Sequence, residues 1–327
     1  MRLLVTGGAG FIGSHFVRTL LGAGYPALTA GDVTVLDKLT YSGNRANLDP
    51  VAADPRLRFV EGDICDAGTV DEVMAGHDAV VHFAAESHVD RSIAGARPFV
   101  VTNVLGTQTL LDAALRHGVG RFLHVSTDEV YGSIATGSWT EEWPLAPRSP
   151  YAASKAGSDL LTLAYVRTHG LDAVVTRCSN NYGPYQFPEK IIPLFVTNLL
   201  DGAKVPLYGD GGNIRDWLHV ADHCAGLALV LAKGRAGEVY HIGGGTELTN
   251  RELTERLLAA CGAGREMVEP VADRLGHDRR YSLSIAKISQ ELGYVPTVDL
   301  ADGLASTVAW YRDNRAWWEP LKSRPAS

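Results

Sequence analysis

The chain has 327 residues, enough to bury a substantial core, and its length allows either one large α/β domain or one such domain with a smaller appendage, the two-lobed form being the default expectation. Its 37 acidic against 30 basic residues leave a formal net charge of -7, which argues against non-specific nucleic-acid binding as the main role, because that needs a basic face to neutralise phosphates. Four cysteines, Cys65, Cys178, Cys224 and Cys261, are widely spaced without a C-x-x-C pattern, so neither a zinc site nor a disulfide framework is expected and a reducing cytoplasmic setting fits.

The apolar start is broken by Gly7, Gly8 and Gly10 and reads as a first strand over 2–6 rather than a secretory signal. No apolar run approaches the roughly 18 residues of a membrane span, the best candidate being a core-helix segment at 226–232. After the first strand, Gly7-Gly8-Ala9-Gly10-Phe11-Ile12-Gly13 opens an apolar-periodic helix to about residue 23. Glycine there lets the backbone turn sharply and approach a pyrophosphate, whose charge the helix N-terminus favours. The G-x-x-G-x-x-G spacing departs from the usual G-x-G-x-x-G, and such loops also serve only to pack a helix on a sheet; the strand-turn-helix context favours the dinucleotide reading.

A second strand over 32–37 ends in Asp37, placed to accept from the adenosine ribose hydroxyls and to disfavour a 2′-phosphate, giving NAD over NADP; the neighbouring Lys38 pulls the other way. A third strand over 58–64 carries Asp63, a clamp on adenine or a helix cap. A fourth, over 78–85, is almost continuously apolar, as in a parallel sheet covered on both faces, and its Ala84 and Ala85 permit close approach of a cofactor. A long helix is expected over 98–117, its apolar face including Val101, Val104, Leu105, Leu111 and Leu115. This alternation predicts a Rossmann-like, doubly wound parallel sheet.

The fifth strand, over 121–125, runs into Ser126-Thr127-Asp128-Glu129-Val130-Tyr131-Gly132. Adjacent carboxylates at the carboxyl end of such a strand can supply an acid and a base to one substrate, although Thr-Asp-Glu also resembles a helix start. Both carboxyls reach one ligand only if the strand has ended by Asp128, because successive strand residues point to opposite faces. Tyr151 and Lys155, four apart, share one face of a helix over 151–169, where the lysine charge favours a phenolate base; Y-x-x-x-K also occurs on solvated helices. A sixth strand, 173–177, leads into a loop over 178–184. Beyond residue 188 shorter helices and Gly-rich loops suggest a smaller α/β lobe, with domains at 1–180 and 181–327 and a return to the first near 218–245. Lys190, Arg215 and Arg274 are candidates for an anionic ligand.

The glycine turn, the Tyr151 and Lys155 pair and Arg215-Asp216-Trp217 together resemble the extended short-chain dehydrogenase/reductase family of nucleotide-sugar enzymes. Blocks at 37–44, 84–90, 126–132, 180–190 and 276–281 resemble its dTDP-glucose 4,6-dehydratase branch, over residue 2 to about 294. Related 4-epimerases carry small residues at 128 and 129, and related decarboxylases and GDP-mannose dehydratases have serine before the glutamate. Leu275 departs from the branch, where proline or a polar residue is usual.

The resemblance implies a lyase that uses tightly bound NAD catalytically, moving hydride from sugar C4 to C6 with water lost across C5 and C6. Tyr151 would be the base on the C4 hydroxyl, Thr127 its hydrogen-bonding partner, Lys155 the holder of ribose and Tyr151, Glu129 the base at C5 and Asp128 the acid at C6. NAD would be lined by Gly7, Gly10, Phe11, Ile12, Gly13, Asp37, Lys38, Leu39, Thr40, Asp63, Ile64, Phe83, Ala84, Ala85, Thr102, Tyr151, Lys155 and Asn181. The nucleotide sugar would meet Ser87, Thr127, Asn180, Glu189, Lys190, Pro206, Leu207, Tyr208, Arg215, Asn250, Arg274, His277 and Tyr281, with Tyr208 stacking on thymine. A homodimer through a four-helix bundle of 98–117 and 151–169 is also implied, with no metal. Epimerisation or decarboxylation of a related sugar nucleotide, or NAD binding without catalysis, are the competing readings.

Overall fold

The computed structural model describes residues 1–29 and 31–322, so the last five residues of the expected second lobe lie outside the described part. β1 (Leu3–Thr6) shows how the layers arise. Leu3 and Val5 pack with Phe16 and Val17 of α1 (Phe11–Leu21), while Leu4 faces the opposite layer with Val70 and Val73 of α2 (Ala67–Met74), the two-residue period of a strand buried on both sides. Each such aliphatic side chain contributes about 1.5–3 kcal/mol on full burial. β2 (Val33–Asp37), β3 (Leu57–Glu61), β4 (Ala79–His82), β5 (Arg121–Thr127) and β6 (Ala173–Cys178) extend the sheet.

Between β4 and β5 lie α3 (Val89–Ala94), α4 (Arg97–Phe99) and α5 (Thr107–Arg116), the last two joined by a π-helical segment, Val100–Gly106. α6 (Pro150–His169) starts on Ser149, whose side chain accepts the Ala152 N–H, and on Pro150 at its first position; Gly170 at φ 70 ends it. β7 (Asn180–Tyr182), α7 (Ile191–Leu200), β8 (Val205–Tyr208), β9 (Ile214–His219) and α8 (Val220–Lys233) follow, then β10 (Val239–Ile242), β11 (Glu247–Thr249), α9 (Asn250–Cys261) and β12 (Val268–Val271). α10 (Ala286–Leu292), α11 (Leu300–Asp313) and α12 (Arg315–Lys322) close the described chain.

The main sheet is parallel throughout in the order β10-β6-β5-β4-β1-β2-β3. It is a Rossmann-like doubly wound sheet, and the chain reverses its direction of travel between β1 and β4, where a crevice forms beyond the strands' carboxyl ends. A three-stranded sheet, β11-β9-β7, and a two-stranded one, β12-β8, sit with α7, α9, α11 and α12 around a separate core that includes Phe195, Trp217, Leu253, Tyr311 and Trp318.

Several elements differ from their expected limits. β3 stops at Glu61 and β4 at His82, leaving Asp63, Ala84 and Ala85 on loops, and Asn180–Tyr182 is a strand parallel to β9 rather than a loop. In the expected helix over 98–117, Val101 and Leu105 are exposed on the single chain while Leu110 and Leu111 are buried, and a π-helical segment interrupts the 3.6-residue projection. Asn103 anchors that segment: its amide donates to the Glu86 carbonyl and Ser154 Oγ and accepts the Glu86 N–H.

Burial pushes His124 down to about 4 and His15, His223 and His241 down to about 3. Unfolded, these imidazoles take up protons near 6.5. The unfolded chain thus binds more protons between about 4 and 6.5, and stability falls as pH drops through that window. Calorimetry is expected to give a clearly lower unfolding midpoint at about pH 5 than at pH 7; an unchanged midpoint would contradict the assignment.

Candidate active site

Gly7, at φ 70, turns the chain off β1; a Cβ there would lie 2.5 Å from the Ala84 nitrogen, so the turn packs directly on the loop after β4. A Cβ on Gly13 would lie 2.3 Å from the Gly7 carbonyl oxygen. α1 begins at Gly10 without a side-chain cap or an acid in its first turn, which leaves its first N–H groups for an anion. The buried Asp37 carboxylate accepts the Ala9 N–H at 2.9 Å and the Leu39 N–H at 2.8 Å and keeps lone pairs for a ribose. Burial pushes its carboxyl up, opposed by those two donors. Asp63 receives the Cys65 N–H and pairs with Lys38 at 2.6 Å, so Asp63 is not the cap of α2, which is Asp66. These residues fit a dinucleotide without a 2′-phosphate.

β5 ends at Thr127, and Asp128–Tyr131 forms a single 3-10 turn. Thr127 Oγ1 accepts the Glu129 N–H at 3.2 Å, so the capping role and a place in the cleft coexist in one residue. The turn releases Asp128 and Glu129 from strand alternation, and both line the same cavity. The far end of the turn is held by Tyr131, whose hydroxyl accepts from Arg177 and lies 2.6 Å from His241 Nε2 while its ring stacks on Trp139. Arg177 is in turn paired with buried Asp159 at 2.8 Å.

The two carboxyls have different surroundings. Burial, then the charge of Glu129, raises Asp128 well above the usual carboxylate range, and its Oδ2 has no protein partner among the described residues. Burial raises Glu129 too, but Lys190, Arg215 and Arg274 oppose it. Lys190 Nζ donates to the Ser87 carbonyl at 2.7 Å. The Arg215 guanidinium lies 4.0 Å over the Tyr281 ring and donates to the Asp278 carbonyl, and Arg274 pairs with Asp90 at 2.8 Å.

Tyr151 is raised well above its ordinary value, first by burial and then by Glu129. Lys155 Nζ donates to the Val125 carbonyl at 2.8 Å, and burial, opposed by Asp159, lowers the ammonium to about 8.

A single cavity of about 580 Å3 runs from the glycine turn past β5 to Tyr208. The chain matches the family described as GDP-mannose 4,6 dehydratase over residues 4–307. It belongs to that family. A dTDP-glucose 4,6-dehydratase of Streptomyces niveus is 67% identical, the match covering 99% of this chain and 96% of that protein. One from Actinoplanes sp. is 69% identical over 97% of this chain and 100% of its own. The crystal structure of DesIV, a dTDP-glucose 4,6-dehydratase from Streptomyces venezuelae solved with NAD bound, is 71% identical with a TM-score of 0.97, covering 98% of this chain and 100% of that one.

The cavity of this dehydratase-family chain brings together every residue expected in the site except Leu39, which stands behind the wall at φ 55 with its N–H on Asp37. Tyr208 has Arg274 5.5 Å from its ring centroid and His277 edge-on at 6.3 Å. Leu275 is 78% exposed and lies off the cavity. Residues not singled out also line it: Glu86, His88 and Asp90 inside the block at 84–90, Ser179 and Gln186 beside the paired asparagines, Cys178, and Trp217. Their signal was proximity to chosen residues. Asp216 instead braces the loop before β11, accepting from Ser179 Oγ and the Gly244 and Thr246 N–H groups. Among the described residues no group of three or more His, Cys, Asp or Glu is placed to hold a metal ion.

Asp37→Ala is expected to weaken NAD binding, because Ala9 and Leu39 lose their acceptor, and to weaken NADP binding less, narrowing the preference by about tenfold or more. Paired titrations with the two dinucleotides measure that ratio, and an unchanged ratio would remove Asp37 from cofactor choice.

Proposed function

We propose that the chain converts dTDP-glucose to the 4-keto-6-deoxy sugar nucleotide, as an NAD-dependent hydro-lyase. The observation that carries this reading is the turn at the end of β5, which sets Thr127, Asp128 and Glu129 in one cavity with Tyr151, Lys155 and the glycine turn. Gly7, Gly10, Gly13 and the free N-terminus of α1 would hold the pyrophosphate, Asp37 the adenosine ribose, and Lys38 with Asp63 the adenine end. When bound, NAD would supply the hydride acceptor for C4 and, once reduced, the hydride donor for C6, and its positive charge would favour the Tyr151 phenolate.

Tyr151 takes the proton of the C4 hydroxyl, and Thr127 orients that hydroxyl. The C4 ketone acidifies the C5 proton. Glu129, kept ionisable by Lys190, Arg215 and Arg274, removes it, while Asp128, held protonated by burial and by Glu129, gives its proton to the departing C6 hydroxyl; water leaves with formation of the C5–C6 double bond, and a proton returns to C5 as C6 takes the hydride. Environments that push two neighbouring carboxyls apart assign the acid and the base. Arg215, Arg274 and Lys190 would meet the substrate's diphosphate side and Tyr208 the base.

The division of the chain follows from this reading: residues 1–180, rejoined at about 218–245, carry NAD, and the chain from 181 mainly carries the nucleotide sugar. Val100, Val101 and Leu105 with Leu160 of α6 form an exposed apolar face suited to a homodimer through a four-helix bundle, which sedimentation tests. No described helix is long and apolar enough to cross a membrane, and the reading places the enzyme in the cytoplasm. Incubation with dTDP-glucose is expected to yield the 4-keto-6-deoxy product with no net consumption of NAD. Absence of that product with NAD added would overturn the proposal.

A further inference from the structure

The glycine turn is held from behind by residues that take no part in the chemistry. Ala9 gives its N–H to Asp37, and its carbonyl accepts the Asn44 N–H at 3.1 Å and Asn47 Nδ2 at 2.8 Å. Asn47 is 1% exposed, in the short 3-10 segment Arg45–Val51. Its Oδ1 accepts the indole N–H of Trp317 in α12 at 2.9 Å, from 270 residues along the chain. An indole nitrogen only donates and a backbone carbonyl only accepts, so the amide's orientation is set at both ends, and neither a carboxylate nor an aliphatic side chain can satisfy the two partners together.

The same contact is caged by a second layer. Arg18 of α1 donates to the Asn47 carbonyl at 2.6 Å, and its guanidinium lies 4.0 Å over the Tyr185 ring. Tyr185 has φ 69, in the left-handed region that a non-glycine residue adopts only when its surroundings hold it there. It is held with its ring centroid 4.5 Å from Trp310 and 5.5 Å from Trp317. α11 and α12 are thus docked on the segment that carries the turn.

We infer that Asn47, oriented by the Trp317 indole, is a positioning residue for the glycine turn, so that retention of the dinucleotide depends on the docking of the C-terminal helix. The turn binds through backbone N–H groups, and a glycine-rich segment aims them only when something outside it restricts its freedom. The inference rests on the dinucleotide reading of the cleft.

The test uses the full-length protein and two substitutions. Trp317→Phe keeps an aromatic ring and removes the donor; Asn47→Asp keeps the acceptor for Trp317 and sets a carboxylate oxygen against the Ala9 carbonyl. The NAD dissociation constant is expected to rise about fivefold in Trp317→Phe, the worth of one neutral hydrogen bond, and about tenfold or more in Asn47→Asp. Amide hydrogen exchange over residues 7–13 should quicken in both, with the KM for the sugar nucleotide unchanged. A Trp317→Phe protein whose NAD affinity and exchange over 7–13 match the parent overturns the inference, whether or not Asn47→Asp folds. Loss of sugar affinity equal to the loss of NAD affinity also overturns it, since a general loosening would move both. A parent that binds no NAD sinks the cofactor reading itself, whereas unchanged variants of an NAD-binding parent sink only the relay.

Discussion

Tyr151→Phe is expected to lower kcat for dTDP-glucose by about 10²–10⁴-fold, the usual worth of a positioned general base, while the protein still folds and binds NAD. The phenol is buried on α6, its ring packs edge-on to Phe99 with centroids 6.3 Å apart, and phenylalanine keeps that packing. What is lost is the oxygen that takes the C4 proton. Burial, and then the charge of Glu129, holds the phenol protonated, so the parent's rate should rise with pH as the phenolate forms in the complex, and the variant's residual rate should lack that limb. Measurement of kcat against pH for both proteins decides: a variant within tenfold of the parent would show that another group accepts the proton.

The second large effect separates oxidation from elimination. Asp128→Asn and Glu129→Gln should keep NAD bound and still oxidise C4, yet slow the loss of water by about 10²-fold or more, because each removes one partner of a proton-transfer pair. In a single turnover, the near-ultraviolet absorbance of reduced nicotinamide should persist in the variants. Deuterium placed at C4 should reach C6 of the same sugar in the parent; wash-out into solvent would exclude an internal hydride shuttle. If the variants lost NAD while residual holoprotein eliminated water at the parental rate, the acid and base roles would fall. Glu129 is the more sensitive position, since three cations keep it ionisable, whereas Asp128 relies on burial to stay protonated.

Much of the cleft was legible because its signals are local. Glycines at 7, 10 and 13, the acid closing β2, and tyrosine and lysine one helical turn apart each depend on residues within a few positions. Their places on strand, turn and helix followed from period and composition. Strand limits were less legible: β3 and β4 end earlier than their apolar runs, where pairing with β2 and β1 ceases. The helix over 98–117 contains a π-helical segment that shifts the angle of every residue after it, and no local pattern announces it. The anionic-ligand candidates Lys190, Arg215 and Arg274 were picked as separate charges, and Asp216, within the same motif, turned out to brace a loop.

The stretch from Thr127 to Tyr131 divides the two kinds of information. By itself the sequence determined which groups are present: a hydroxyl and two adjacent carboxyls at a strand's end, behind a glycine turn and before a tyrosine-lysine pair. The tertiary structure alone decided that the strand stops at Thr127 so that both carboxyls face one cavity, and that Lys190, before α7, and Arg274, on the loop after β12, act on Glu129 while Arg215 of β9 acts on both carboxyls. It also brought Trp317 to Asn47 across 270 residues. The physical reason is range. Turn geometry, caps and periodicity are written in neighbouring residues, whereas a carboxyl's proton affinity and the aim of a backbone N–H depend on burial and on charges that only packing delivers.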